Sequence, residues 1–190
     1  MDPKKIIIMD SAKKSFSLFG YKGTTMDQIA KIAGVGKATI YTYFANKEIL
    51  LHDIVQSLVN EMKSKAEQAI LEGKTAFEKI HGAIYSILVF RKEHELLILL
   101  AHEVQQHGNQ VIQEILSGIE AEIIDFITKR IEIAIHNGSM KACDPKITAF
   151  IMFKLYVALV FDWEKKNAPL SNEKISELLK FYLMNSLEIS

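Results

Sequence analysis

An all-α chain of about nine helices is the fold this sequence predicts, and three observations predict it. Apolar residues recur at three- and four-residue spacing along almost the whole length, and no alternating run long enough for a strand interrupts them. Only three prolines and nine glycines punctuate 190 residues, which leaves long uninterrupted elements. Ser, Thr, Asn, Asp and Gly residues stand where helices of ordinary length would start and stop. At 49% apolar and 24% charged residues the chain has enough apolar side chains for a buried core.

The first helix is expected from about Lys4 to Phe19. Ile8, Ala12, Phe16 and Phe19 share a face there, and Gly20 is its left-handed stop. Thr25 opens the second helix as a capping residue, with Gln28 three positions on, and Gly34 closes it. A short third helix, about 38–44, follows the Gly34-Val35-Gly36 turn. Asn46 caps a long fourth helix to about Leu71. Thr75 and Glu78 form another capping box, opening a helix to about Lys92. Further helices are expected over 95–106, over 109–137, and from Asp144-Pro145 to Lys166. The last starts at Ser171 and carries the stripe Ile175, Leu178, Leu179, Tyr182, Leu183 and Leu187.

Net charge is zero, but its distribution is not even. Residues 1–50 hold eight lysines against four acids, a net +4, and the remaining residues carry −4. A basic head on an acidic body is the asymmetry expected where one end docks on phosphates. The most apolar run, 149–163, is short for a membrane span and contains Lys154, so no membrane partner is expected. The single Cys143 cannot form an internal disulfide, which agrees with a cytoplasmic location. The six histidines lack paired metal-ligand spacing, and there is no Gly-x-Ser-x-Gly, Walker loop or dinucleotide fingerprint. Neither catalysis nor a cofactor or metal is therefore expected.

The informative segment is Gly20 to Leu50: two short helices joined by Gly-Val-Gly, then the start of a longer one. Ile29, Ala30, Val35, Ile40 and Phe44 are spaced to meet in one small core. That leaves Lys37, Ala38, Thr39, Thr42 and Tyr43 facing outward, with Tyr41 at the flank. The entry Gly20, Gly23, Thr24, Thr25, then Ile29-Ala30, Gly34-Val35, and the run Thr39-Ile40-Tyr41-x-Tyr43-Phe44 with Lys47 and Leu50 resemble the DNA-binding domain of the TetR family of bacterial repressors. The match covers about residues 5–52.

That resemblance implies a helix-turn-helix domain over residues 1–46 and a helical effector-binding and dimerisation domain over 47–190. It implies that Thr25, Tyr41, Tyr43 and Lys47 contact phosphates. Lys37, Ala38 and Thr39 would enter the major groove, with Thr42 near its wall. It implies a homodimer on pseudo-palindromic operator DNA, formed by the last two long helices; Phe153, Val160, Leu179 and Leu183 are the expected interface residues. It also implies a pocket for a small hydrophobic or amphipathic effector, with Tyr85, Leu88, His102, Glu103, Phe126, Met152, Tyr156 and Trp163 as candidate lining. The function expected is a transcriptional repressor released from its operator by that effector. The alternative is a helical ligand-binding protein or enzyme whose headpiece is vestigial.

Overall fold

The computed structural model describes residues 2–74, 76–94, 96, 99, 100, 103 and 108–184. Thr75, His102, Leu187 and most of the helix expected over 95–106 lie outside the described residues. Among those described there are eight α-helices and no strand. They are α1 (Pro3–Gly23), α2 (Met26–Ala33), α3 (Lys37–Tyr43), α4 (Lys47–Glu72), α5 (Ala76–Glu93), α6 (Gln110–His136), α7 (Pro145–Val157) and α8 (Asn172–Leu179).

Their ends follow from the residues that were expected to cap them. Thr25 Oγ1 accepts from Gln28 N, Asn46 Oδ1 from Ile49 N, Asp144 Oδ1 from Ile147 N, and Ser171 Oγ from Lys174 N. Gly34 ends α2 at φ 65°, where a Cβ would be strained, and its left-handed turn lets Val35 N donate to Ala30 O at 3.0 Å. Gly20 interrupts α1 at φ 68° and ψ 174°, and one further turn carries the helix to Gly23.

Two compact units divide the chain. The first comprises Met1–Asn60 and Arg91–Gly118, the second Glu61–Phe90 and Ile119–Ser190. The core of the first gathers Ile8, Ala12 and Phe16 of α1, Ile29 of α2, Ile40 of α3 with Phe44, and Leu50, Leu51 and Ile54 of α4, all essentially inaccessible. The headpiece expected over residues 1–46 lies inside this unit.

In the second unit α7 and α8 do not end as plain α-helices. Each runs on into a wider π turn, at Ala158–Asp162 and Lys180–Met184. Val160 and Leu183, one from each π turn, join Leu88, Ile175 and Leu179 in a buried cluster. A second cluster forms around Ile131, Met140 and Ala149. No helix of the described residues is long and apolar enough to cross a membrane.

Candidate nucleic-acid interface and effector cavity

The headpiece core turns one side of α3 inward and leaves the other free. Ile40 and Phe44 are buried, while Lys37, Ala38, Tyr41 and Thr42 are exposed and Thr39 and Tyr43 half-exposed. Lys37, Ala38, Thr39, Tyr41, Thr42 and Tyr43 are therefore all at least partly open to solvent on α3, while Thr25 and Lys47 belong to the neighbouring helices. Beside them, Thr24, Thr25, Asp27, Lys37, Tyr41 and Lys47 line a shallow open groove of about 320 Å³. Thr25 sits at the N-terminus of α2, where free amides and the helix dipole favour an anion.

Several of these donors already have acceptors within the chain. Lys37 Nζ pairs with Asp27 Oδ2 at 2.7 Å, and that carboxylate raises the lysine pKa above its ordinary value. The Tyr43 hydroxyl donates to Asp2 Oδ2 at 2.7 Å, which holds the Asp2 carboxyl below the usual range. Thr42 Oγ1 donates to Ala38 O at 3.0 Å, back into its own helix. Each of these three donors thus has its acceptor within the chain.

Lys47 is more deeply committed. Its ammonium donates to Tyr21 O (2.7 Å) and Thr24 O (2.9 Å) and lies 4.2 Å from the Tyr21 ring centroid. Burial lowers its pKa, while Glu103 and Glu48 oppose that shift. Two of its three donors satisfy carbonyls at the end of α1, so this lysine closes the headpiece as well as facing the groove.

Glu103 belongs to the same arrangement. Its Oε2 accepts from Tyr21 N at 2.9 Å, immediately after the break at Gly20. A Cβ at Gly20 would come within 3.3 Å of that oxygen, so the glycine serves both the left-handed turn and the close approach. Sequence reasoning placed Glu103 in the effector pocket. It lies instead in the first unit, where its carboxylate holds the end of α1. A contact 82 residues long in sequence leaves no local signal.

The Tyr21 hydroxyl is buried at this junction. Desolvation first, then the Glu48 and Glu103 carboxylates, push its pKa from 10.0 to about 12. A folded pKa above the unfolded one contributes stability that is complete below pH 10 and lost as pH rises through about 12. Between pH 9 and 11 the native chain should therefore lose about 1 kcal/mol more stability than Tyr21→Phe does. Urea unfolding of both proteins at the two pH values checks this; equal losses would mean that the phenol does not stay protonated in the folded state.

Comparison with known proteins decides what this headpiece is. The sequence profile of the bacterial regulatory proteins of the tetR family matches residues 8–54. The HTH-type transcriptional regulator YhgD of Bacillus subtilis is 46% identical over 184 residues, which cover 97% of this chain and 96% of that one. The chain belongs to the TetR family. It is a helix-turn-helix DNA-binding transcriptional regulator. The fatty acid metabolism regulator protein of Bacillus subtilis is 32% identical over 168 residues, 85% of this chain and 84% of that one. The fold matches the crystal structure of the regulator FadR from Bacillus subtilis in complex with stearoyl-CoA, with a TM-score of 0.75, 23% identity, and coverage of 92% of this chain and 96% of that one.

The body of this TetR-family chain holds an apolar cavity of about 380 Å³ in its second unit, a size suited to a small ligand. Of the residues expected to line a pocket, Phe126, Met152 and Tyr156 do so. Leu88 is fully buried in the core beside it. Tyr85 projects outward, stacked on His81 at 6.2 Å. Trp163 is also outside, its Nε1 donating to Ala168 O at 3.0 Å.

The interface residues read from the sequence are redistributed too. Val160 and Leu179 are inaccessible in a single chain and Leu183 nearly so, while Phe153, Leu179 and Leu183 line the cavity. Val160, Leu179 and Leu183 are not open to a second copy without disturbing the core, whereas Phe153 is half-buried. The apolar residues that α7 and its neighbour do present outward are Ile147, Phe150 and Ile151, at helical spacing, together with the edge-to-face pair Phe181 and Tyr182. Sequence reasoning also passed over Lys63, Lys79 and Arg130 of the cavity wall, because a charged residue on a helix reads as solvated.

Proposed function

We propose that this regulator is a cytoplasmic repressor that holds pseudo-palindromic operator DNA as a homodimer and is released by a hydrophobic or amphipathic effector. The observation that carries the reading is the pairing of an outward-facing recognition helix with a largely apolar cavity in one TetR-family chain. Phosphate contacts from Thr25, Tyr41, Tyr43 and Lys47 supply affinity and register, and base-edge contacts from Lys37, Ala38 and Thr39 supply sequence preference. Thr42 stands at the groove wall.

A single headpiece offers few contacts, so two recognition helices set about 34–36 Å apart are needed to read two half-sites. Ile147, Phe150, Ile151, Phe181 and Tyr182 are the side chains available to a second copy, since they remain exposed in the isolated chain. Release requires the effector to bind better when the headpieces are spaced for solution than when they are spaced for DNA. The stearoyl-CoA complex of a related regulator supports an apolar or amphipathic effector for the cavity.

Selection from randomised duplexes tests the DNA half of the proposal. The native chain should enrich a palindromic consensus, and Thr39→Ala should bind it about 1–3 kcal/mol more weakly while binding random DNA unchanged. Enrichment of the same consensus at the same strength by Thr39→Ala would remove Thr39 from the readout.

A further inference from the structure

The cavity wall has a charge pattern that an apolar ligand alone does not require. Among the described residues three cations line it, Lys63, Lys79 and Arg130, and no carboxylate does. The rest of the wall is almost wholly aliphatic, aromatic or Met. Cations on an apolar wall are costly unless an anion accompanies them.

Two of the three take that anion from outside the lining. Lys63 of α4 pairs with Glu122 of α6, and Arg130 of α6 pairs with Glu67 of α4. The Phe126 ring stands near both cations, 5.9 Å from Lys63 Nζ and 5.1 Å from the Arg130 guanidinium carbon. Arg130 is not satisfied even so: its Nε is buried without a hydrogen-bond acceptor. A guanidinium with a spare, sheltered donor is suited to a further carboxylate or phosphate oxygen. The two ion pairs run in opposite senses and both tie α4 to α6. Any anion that takes Lys63 and Arg130 from their glutamates therefore loosens that tie as it binds.

We propose that the effector is an anionic amphipath, its tail in the apolar cavity and its carboxylate or phosphate head on Lys63 and Arg130, and that exchange of Glu122 and Glu67 for this head is the switch. The proposal rests on the cavity being the effector site, and it adds the charge of the ligand and the residues that read it. A neutral ligand of equal apolar size gains the tail contacts but leaves both ion pairs intact, so it has no differential affinity through them and shifts nothing by this route. Because α4 is one helix from Lys47 to Glu72, a change in what holds its second half is continuous with the segment that enters the headpiece.

The test uses the full chain and three probes with matched tails: stearate, stearoyl-CoA and 1-octadecanol. Binding is read by calorimetry, and release by the probe concentration that frees the selected operator duplex. At least one anionic probe should bind tenfold or more tighter than octadecanol. Stearate alone would assign a free carboxylate head, stearoyl-CoA alone a phosphate-bearing one, and either supports the proposal. Arg130→Gln should weaken the anionic probe at least tenfold with unchanged helicity. The double variant Glu67→Gln, Glu122→Gln should tighten it several-fold and release DNA at lower concentration, because the competing carboxylates are gone; a merely structural role for those pairs would not produce tightening. Octadecanol binding as well as the anions would overturn charge reading while leaving the cavity as effector site. Unchanged anion affinity in the double variant would overturn the exchange. Binding of none of the three would overturn the cavity reading itself, and the proposal with it.

Discussion

Ile151→Glu should give a folded monomer that has lost its operator. Ile151 is 50% exposed in the single chain and lies beside exposed Ile147 and Phe150 on α7. A glutamate there stays hydrated in the monomer, so helicity and thermal unfolding of the isolated subunit should be nearly unchanged. Against a second copy the same carboxylate is desolvated beside an apolar surface, and two-fold symmetry imposes that cost twice. Once the subunits part, the half-sites no longer add, and operator affinity should fall by about 10²–10⁴-fold, the usual gain from linking two binding events. Residual binding should match that of random DNA and keep its salt dependence. Analytical ultracentrifugation with a mobility-shift titration decides it. A stable dimer at micromolar concentration with native operator affinity would place the interface elsewhere.

The part of this molecule that sequence reasoning reached is the part specified by local chemistry. Thr25, Asn46, Asp144 and Ser171 cap helices through their own side chains, and Gly20 and Gly34 adopt backbone angles that other residues resist. These signals act over three or four residues, and so the headpiece and most helix boundaries were legible. The inward and outward faces of α7 and α8 were not. Between 145 and 163 nearly every position is apolar, which leaves periodicity little contrast to work with. The π turns at 158–162 and 180–184 then add a residue to the turn, so a stripe extrapolated at helical spacing rotates off its face. Of the expected stripe, Leu183 stays inside with Ile175 and Leu179, while Tyr182 lies outside. Lys63 and Arg130 escaped for a different reason. What distinguishes them from solvated charges is the cavity between α4, α5 and α6, and a cavity has no sequence period.

Leu183→Glu should behave quite unlike Ile151→Glu, and the contrast separates core from interface. Leu183 is 6% exposed, belongs to the buried cluster with Leu88, Val160, Ile175 and Leu179, and forms part of the cavity wall. Loss of its apolar side chain alone should cost about 2–5 kcal/mol, as for other buried leucines. A carboxylate in its place adds a desolvation penalty or neutralises through a raised pKa. For a chain of this size a loss of about 3–5 kcal/mol lowers the melting temperature by roughly 6–20 °C. Because the fault lies within one subunit, the loss should be the same at every protein concentration at which the chain is monomeric. Leu183→Met, which keeps the volume and the apolar surface, should recover most of it, at a cost below about 1.5 kcal/mol. Calorimetric melting of native chain, Leu183→Glu and Leu183→Met in the monomeric Ile151→Glu background checks the assignment. If Leu183→Glu melts with the native chain in that background, Leu183 faces solvent and the buried cluster described for α8 is wrong.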